Sequence, residues 1–329
     1  MSARIKRFCF RGFLFHGAGL TILVLCGSPA PAARAQETVD LFILAGQSNA
    51  TGVADHNGTA SRPAEPLSGP LPDPRIKYWH SSGGINTPRE DSLFWGRLDT
   101  LSQGDYGPEF GLGRELDAQG HNTAIIKVAW GGTSLGNHWN SRTNGQLWQQ
   151  WQQATTSAIN ALQANGIQVR ARGFFWMQGE SDALNQSFAE GYEINFSHLI
   201  EDVDLHLTGL GVAVDEMRYV TGLIDGTSGN FGGTFPWNDE VIAAQRGVMN
   251  SMGPRGRWIS TDLFETYDEA PWLGINDALH FTGTGSTQLG TAFAQAWASP
   301  VPEPTFPLVG GIVLGWMANR RGRRTGRRG

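Results

Sequence analysis

The sequence predicts an α/β protein with a central parallel sheet covered by helices on both faces. Two observations carry that prediction. Between residues 36 and 300, short runs rich in apolar and β-branched residues alternate with longer segments of helical periodicity. The first three convincing strands each end in a polar, glycine-containing turn, and in open α/β sheets chemistry collects beyond the carboxyl ends of the strands. No internal repeat or long interior linker divides this stretch, so it reads as one large domain.

Leu41-Phe42-Ile43-Leu44-Ala45 forms the first strand, a continuous apolar run of the kind buried on both faces, and it stops at Gly46-Gln47-Ser48-Asn49. Taken alone, Ser48 is as readily a helix cap as a nucleophile. The Pro/Gly/Ser-rich segment 59–74 is irregular, 76–79 forms a short strand, and a long loop follows to Pro108. A helix opens at Gly107-Pro108-Glu109 and ends at Gly120. The β-branched run 123–129 is the second convincing strand and enters Trp130-Gly131-Gly132-Thr133-Ser134. A helix over 146–164 precedes the third strand, 172–177, which ends in Gln178-Gly179-Glu180-Ser181-Asp182. A helix over 188–207, a strand over 218–224, a helix over 239–252 and a strand over 257–261 follow. A loop bearing Asp277 and His280 leads to a closing helix, 284–297.

The ends have a different character. Residues 1–35 combine a basic start (Arg4, Lys6, Arg7, Arg11), an apolar run and Ala33-Arg34-Ala35, which is the pattern of a secretory signal cleaved before Gln36. Both cysteines, Cys9 and Cys26, lie inside it, so the processed domain is expected to have no disulfide and no thiolate chemistry. Residues 301–329 run from Pro302-Glu303-Pro304 through an apolar stretch, shorter than the ~20 residues of a spanning helix, to six arginines between 320 and 328. Of 25 basic residues, five lie in 1–35 and six in 320–329, leaving 14 against 30 acidic residues, a net of −16. A domain this acidic is a poor binder of nucleic acid or anionic membranes.

The strand ends hold the components of nucleophilic catalysis. A serine hydroxyl needs a base, histidine is the natural one near neutral pH, and a carboxylate on the other ring nitrogen fixes its tautomer. Ser48, His280 and Asp277 supply that set, with Glu180 as a second carboxylate able to orient the histidine or brace a loop. Gly131 and Gly132 allow close approach of backbone N–H groups to an oxyanion, and Gln178 carries an amide donor. His56, His80, His121 and His138 read as structural or surface groups. No G-x-S-x-G elbow, H-E-x-x-H motif, Cys/His cluster or phosphate-binding loop is present in the sequence, so neither metal nor nucleotide cofactor is expected. Several tryptophans, Trp79, Trp139, Trp237 and Trp272, are expected in loops, where aromatic faces can stack on sugars; core or rim placement is the ordinary alternative.

Four blocks together, G-Q-S-N at 46–49, W-G-G-T-S-L at 130–135, Q-G-E-S-D at 178–182 and D-A-L-H-F at 277–281, resemble SGNH-type sialate O-acetylesterases and carbohydrate esterase family 6. The resemblance spans about Val39 to Trp297. It implies a three-layer α/β/α sandwich of flavodoxin-like type, with Ser48 as nucleophile and His280 as base. It also implies an oxyanion hole from the N–H groups of Ser48 and Gly132 and the side chain of Gln178, which stands where many such enzymes have asparagine. Asp277 is the favoured acid and Glu180 the alternative. The implied activity is removal of O-acetyl groups from acetylated carbohydrate such as acetyl xylan, sialic acid or exopolysaccharide. A lipase or thioesterase of the same fold and an inactive surface carbohydrate-binding protein are the rivals. The segment 301–329 resembles a PEP-CTERM sorting signal, implying transient membrane tethering, exosortase processing and delivery to the surface or matrix of a Gram-negative-type bacterium.

Overall fold

The computed structural model describes residues 36–59, 62–81, 95–100, 105–224 and 235–300. The expected secretory and sorting segments, 1–35 and 301–329, lie outside these residues.

Strand β1 (Thr38–Gly46) is the centre of the molecule: Val39, Leu41, Phe42, Ile43 and Leu44 have no exposed surface. Full burial of each such side chain contributes about 1.5–3 kcal/mol. Those apolar positions face both ways because the strand has parallel neighbours and helices on both sides. Beyond β1 come a single helical turn, α1 (Ser48–Thr51), and β2 (Ala54–Asp55). The chain continues through β3 (Asp73–Ser81), β4 (Gly96–Leu98), β5 (Asp105–Tyr106), α2 (Glu109–Ala118), β6 (Thr123–Ala129) and α3 (Gln146–Ala164). The remainder is β7 (Gln168–Met177), α4 (Gln186–Glu190), α5 (Tyr192–Gly209), β8 (Arg218–Gly222), α6 (Asn238–Ser251), β9 (Gly256–Ile259) and α7 (Gly283–Ala298).

The seven-stranded sheet has the order β4-β3-β6-β1-β7-β8-β9. It is parallel except for β4, which pairs antiparallel with β3 at one edge. Helices α2 and α7 pack together on one face, while α3, α5 and α6 cover the other. Side chains of β7 alternate accordingly: Phe175 meets Phe293 of α7, whereas Phe174 and Trp176 meet Trp151 of α3 and Phe196 of α5. The predicted α/β/α class is therefore the observed one.

Details differ at three places. The short strand expected at 76–79 extends over nine residues and acquires the edge partner β4, only three residues long and set in loop-like sequence. The helix expected over 188–207 is two helices that meet at Gly191. A second ladder joins β2 to β5, two residues from each, too short to leave a periodic pattern. The topology places β1 between β6 and β7, so the loops after all three strands open side by side at one sheet edge.

Candidate active site

The turn after β1 is forced by one glycine. Gly46 has φ +146°, and a Cβ there would lie 2.0 Å from the carbonyl oxygen of Met177 on β7. Gln47 N–H donates to that same Met177 oxygen (2.9 Å), and Trp130 N–H donates to Gly46 O (3.1 Å), which ties all three loops at their roots. Gln47 occupies the N-cap position of α1 without a side-chain cap bond, and Ser48 is the first residue inside the helix. The Ser48 hydroxyl therefore does not cap this helix. Ser48 is buried to within 8% of full cover.

Ser48 lines a cavity of about 540 Å³ together with Gly131, Gly132, Glu180 and His280. A Cβ on Gly131 would sit 3.5 Å from Ser48 Cβ, so the second loop lies directly against the serine. Gly132 has φ +69°, the left-handed region that glycine adopts without strain. Among the described residues, the N–H groups of Ser48 and Gly132 have no protein acceptor. Leu184, Phe235 and Leu279 supply an apolar wall.

His280 reaches the cavity from the loop before α7. Its Nδ1 lies 2.7 Å from Asp277 Oδ2, while Asp277 Oδ1 accepts the N–H groups of Leu279 (2.9 Å) and His280 (3.0 Å). One carboxylate thus fixes both the loop backbone and the ring. Burial acts to raise the Asp277 pKa, but the hydrogen bond and charge of His280, aided by the two N–H donors, outweigh it and hold the carboxyl below its usual range. Phe281 packs edge-on to Phe264, and Thr282 caps α7 by accepting from Gly285 N–H (3.1 Å), so the loop is anchored just past the histidine.

Glu180 sits at the back of the cavity, 2% exposed. Its Oε1 accepts from Asn49 Nδ2 (3.2 Å), and burial raises its pKa. Oε2 has no hydrogen-bond partner. Asp277 is bonded to Nδ1 of the His280 ring, and Glu180 is bonded to Asn49 of the serine turn.

Gln178 needs a correction. It is fully buried and is not part of the cavity wall. Its Nε2 lies within hydrogen-bond distance of three acceptors, Thr133 O (2.9 Å), Asp182 Oδ2 (2.6 Å) and Gln47 Oε1 (3.2 Å), so both its hydrogens are committed to the protein rather than offered to an oxyanion. Gln178 positions the second loop against the first.

Three residues outside the expected set complete the frame. Asp182 accepts from the N–H groups of Leu135 (2.8 Å) and Gly136 (2.8 Å) as well as from Gln178, fixing the end of the second loop. Asn49 donates to Leu279 O (3.0 Å) and accepts from Phe281 N–H (3.2 Å), bridging the serine turn to the histidine loop. Lys127 on β6 is buried beside Glu109 (2.6 Å) and donates to Thr51 O (2.5 Å), tethering the far end of α1. Asn49 and Asp182 stand inside the quoted blocks, and that was their one signal in the sequence.

The four histidines expected to be structural or surface groups have partners within the fold. His121 bonds Asp40 (2.8 Å), His56 accepts from Leu67 N–H, His138 accepts from Ser134 N–H, and His80 stacks on Tyr78. Among the described residues no group of three or more His, Cys, Asp or Glu is placed to hold a metal, and no helix is long and apolar enough to cross a membrane.

A serine, a glycine turn and a histidine bonded to a carboxylate thus line one cavity at the edge of a doubly covered α/β/α sheet. The chain belongs to the family described as carbohydrate esterase, sialic acid-specific acetylesterase, whose model matches residues 38–299. That membership bears out the resemblance read from the four blocks at the level of the carbohydrate esterases. Similar solved structures include a protein from Arabidopsis thaliana, with 21% identity over 80% of this chain and 99% of that one and a TM-score of 0.56. A carbohydrate acetylesterase from Xanthomonas citri has 16% identity over 78% of this chain and 55% of its own, with a TM-score of 0.49. NanS has 17% identity over 80% and 98%, with a TM-score of 0.49. No curated protein matches the chain.

Proposed function

We propose that the protein is an exported O-acetylesterase of acetylated glycans that works through an acetyl-enzyme. The observation that carries this reading is the single cavity lined by Ser48, the Gly131-Gly132 turn and His280, with Asp277 bonded to the histidine ring. Ser48 Oγ attacks the acetyl carbonyl while His280 Nε2 takes its proton, and Asp277 holds Nδ1–H and stabilises the imidazolium. The uncommitted N–H groups of Ser48 and Gly132 receive the oxyanion. The sugar alkoxide leaves with the proton from His280. Water, deprotonated by the same nitrogen, then attacks the acetyl-enzyme, and acetate is released as Ser48 regains its hydrogen.

The carbohydrate esterase family supports the acetylated-sugar substrate. Export and delivery to the cell surface rest on the signal-like segment 1–35 and the PEP-CTERM-like segment 301–329, with signal peptidase and an exosortase as processing partners and the membrane as a transient anchor. A second reading, a lipase or thioesterase of the same fold, draws on Leu184, Phe235 and Leu279 in the cavity wall. The test is acetate release from acetylated glycans beside a series of p-nitrophenyl esters of rising chain length. Acetate release lost in Ser48→Ala protein, with the acetyl ester preferred, is the expected result. A preference for long acyl chains overturns the acetylesterase reading, and full activity in Ser48→Ala overturns the mechanism.

A further inference from the structure

A second cavity, of about 570 Å³, is lined in part by Gly283 and Thr284, just after the histidine loop. It shares no lining residue with the catalytic cavity. Leu279 and His280 line the one, whereas Gly283 and Thr284 line the other. Gly283 is three positions after His280, so their Cα atoms lie within roughly 11 Å of each other. The volume falls in the range of small-molecule sites.

Its lining is neither random polar surface nor an apolar groove. Trp272, on the short 3₁₀ turn Pro271–Leu273, is 72% exposed, whereas Trp79 and Trp139 are buried in the core. An indole left this open has no packing role of its own size to account for it. Around it stand hydrogen-bonding groups: the Glu265 carboxylate, which gives one oxygen to Thr282 Oγ1 (2.6 Å), and the exposed side chains of Thr284 and Gln288. A flat aromatic face beside carboxylate, amide and hydroxyl groups matches a sugar ring, which is apolar on its faces and polyhydroxylated at its edge.

The charge at this place selects among sugars. The positive end of α7 is already met by Glu65, whose Oε2 accepts Gly283 N–H at 2.6 Å. Arg114 is committed to Ser68 O, Pro70 O and the carboxylate of Asp73. Glu65 and Glu265 outnumber Arg114 in the lining, and Arg114 is paired with Asp73, so an acidic sugar would meet a net negative lining there. The cavity is also tied to the catalytic loop: the N–H groups of Tyr267 and Asp268 donate to the carbonyls of His280 (3.3 Å) and Asp277 (3.1 Å), and Tyr267 Oη donates to Glu65 Oε1 (2.6 Å).

We infer that this cavity is an accessory subsite in which Trp272 stacks on a neutral sugar residue of the same glycan chain whose acetyl ester reaches Ser48. The inference rests on the acetylesterase reading for its purpose but not for its test, because binding is measured without turnover. The full chain carrying Ser48→Ala is run by affinity electrophoresis in gels containing deacetylated xylan, glucomannan or polygalacturonate. At least one neutral polymer retards it and polygalacturonate does not. Adding Trp272→Ala weakens that retardation by roughly tenfold, while Trp272→Phe, which keeps a flat ring, restores most of it. In the chain with Ser48 intact, Trp272→Ala raises KM for the acetylated polymer by a similar factor and leaves kcat and p-nitrophenyl acetate turnover unchanged. No retardation by either neutral polymer, retardation indifferent to Trp272→Ala, or equal retardation by polygalacturonate overturns the subsite. Trp272-dependent retardation in a chain that releases no acetate from any glycan leaves the subsite standing and removes the esterase reading alone.

Discussion

The two halves of the candidate site are held in different ways. The serine half stands on three adjacent central strands, and its loops are joined by buried bonds: Gln47 N–H to Met177 O, Gln178 Nε2 to Thr133 O, and Asp182 to the N–H groups of Leu135 and Gly136. The histidine half is a partly exposed loop whose order comes mainly from Asp277 bonding its own neighbours and from the strap at Tyr267-Asp268. Between the halves, Asn49 makes contacts to both Leu279 and Phe281. Rigidity is thus inherited from the sheet on one side and assembled locally on the other, with a single side-chain amide prominent in their registration.

Substitutions sharpen this contrast in order of size. Ser48→Ala is expected to lower kcat on p-nitrophenyl acetate by a factor on the order of 10⁶ with little change in melting temperature, since it removes the reacting atom alone. Asp277→Asn follows, with a loss on the order of 10⁴, because the amide no longer fixes the tautomer of His280. Steady-state kinetics compare it with Glu180→Gln; a larger loss in the Glu180 variant would move the orienting role to the rigid half. Asn49→Ala displaces one half against the other, and misplacement of about 1 Å costs roughly 10²-fold. If stopped assays show its kcat equal to that of the parent, the two halves are registered by something other than Asn49.

The smaller effects are on stability. Asp182→Asn turns an acceptor into a donor facing N–H groups and is expected to cost about 1–3 kcal/mol in urea unfolding at neutral pH. Glu180→Gln gives the mildest and most pH-dependent change. Burial raises the folded-state pKa of Glu180, so within the window above the ordinary carboxylate value the folded protein holds a proton that the unfolded chain has lost. Stability contributed by this group therefore falls as pH rises through that window. Glutamine does not titrate, so the melting temperature of Glu180→Gln should gain on the parent as pH rises above the ordinary carboxylate value. Parallel curves would mean that the carboxylate is not desolvated.

Much of this arrangement was legible in the sequence because it is local. The apolar run of β1, the β-branched run of β6 and the turns that end them mark both a strand and its exit, and Asp277 lies three residues from the histidine it bonds. What was hidden depends on pairs distant in the chain. Gln178 reads as a free donor until Thr133, Asp182 and Gln47 are seen to take its hydrogens. The tryptophans show the same limit, since burial of Trp79 and Trp139 and exposure of Trp272 follow from packing that no spacing encodes. Strand β4 escaped notice because three residues carry no period.

The bridge from Asn49 to Phe281 spans 232 residues of chain. During synthesis, therefore, the proposed nucleophile emerges early and its proposed base almost last, in the segment that leads into α7. That helix docks on α2 so closely that a Cβ on Gly290 would fall 1.9 Å from the carbonyl oxygen of Pro108. On the proposed mechanism, a nascent polypeptide ending before Asp277 carries the serine but lacks the base. Hydrolysis is then a timed property that begins when the final helix settles.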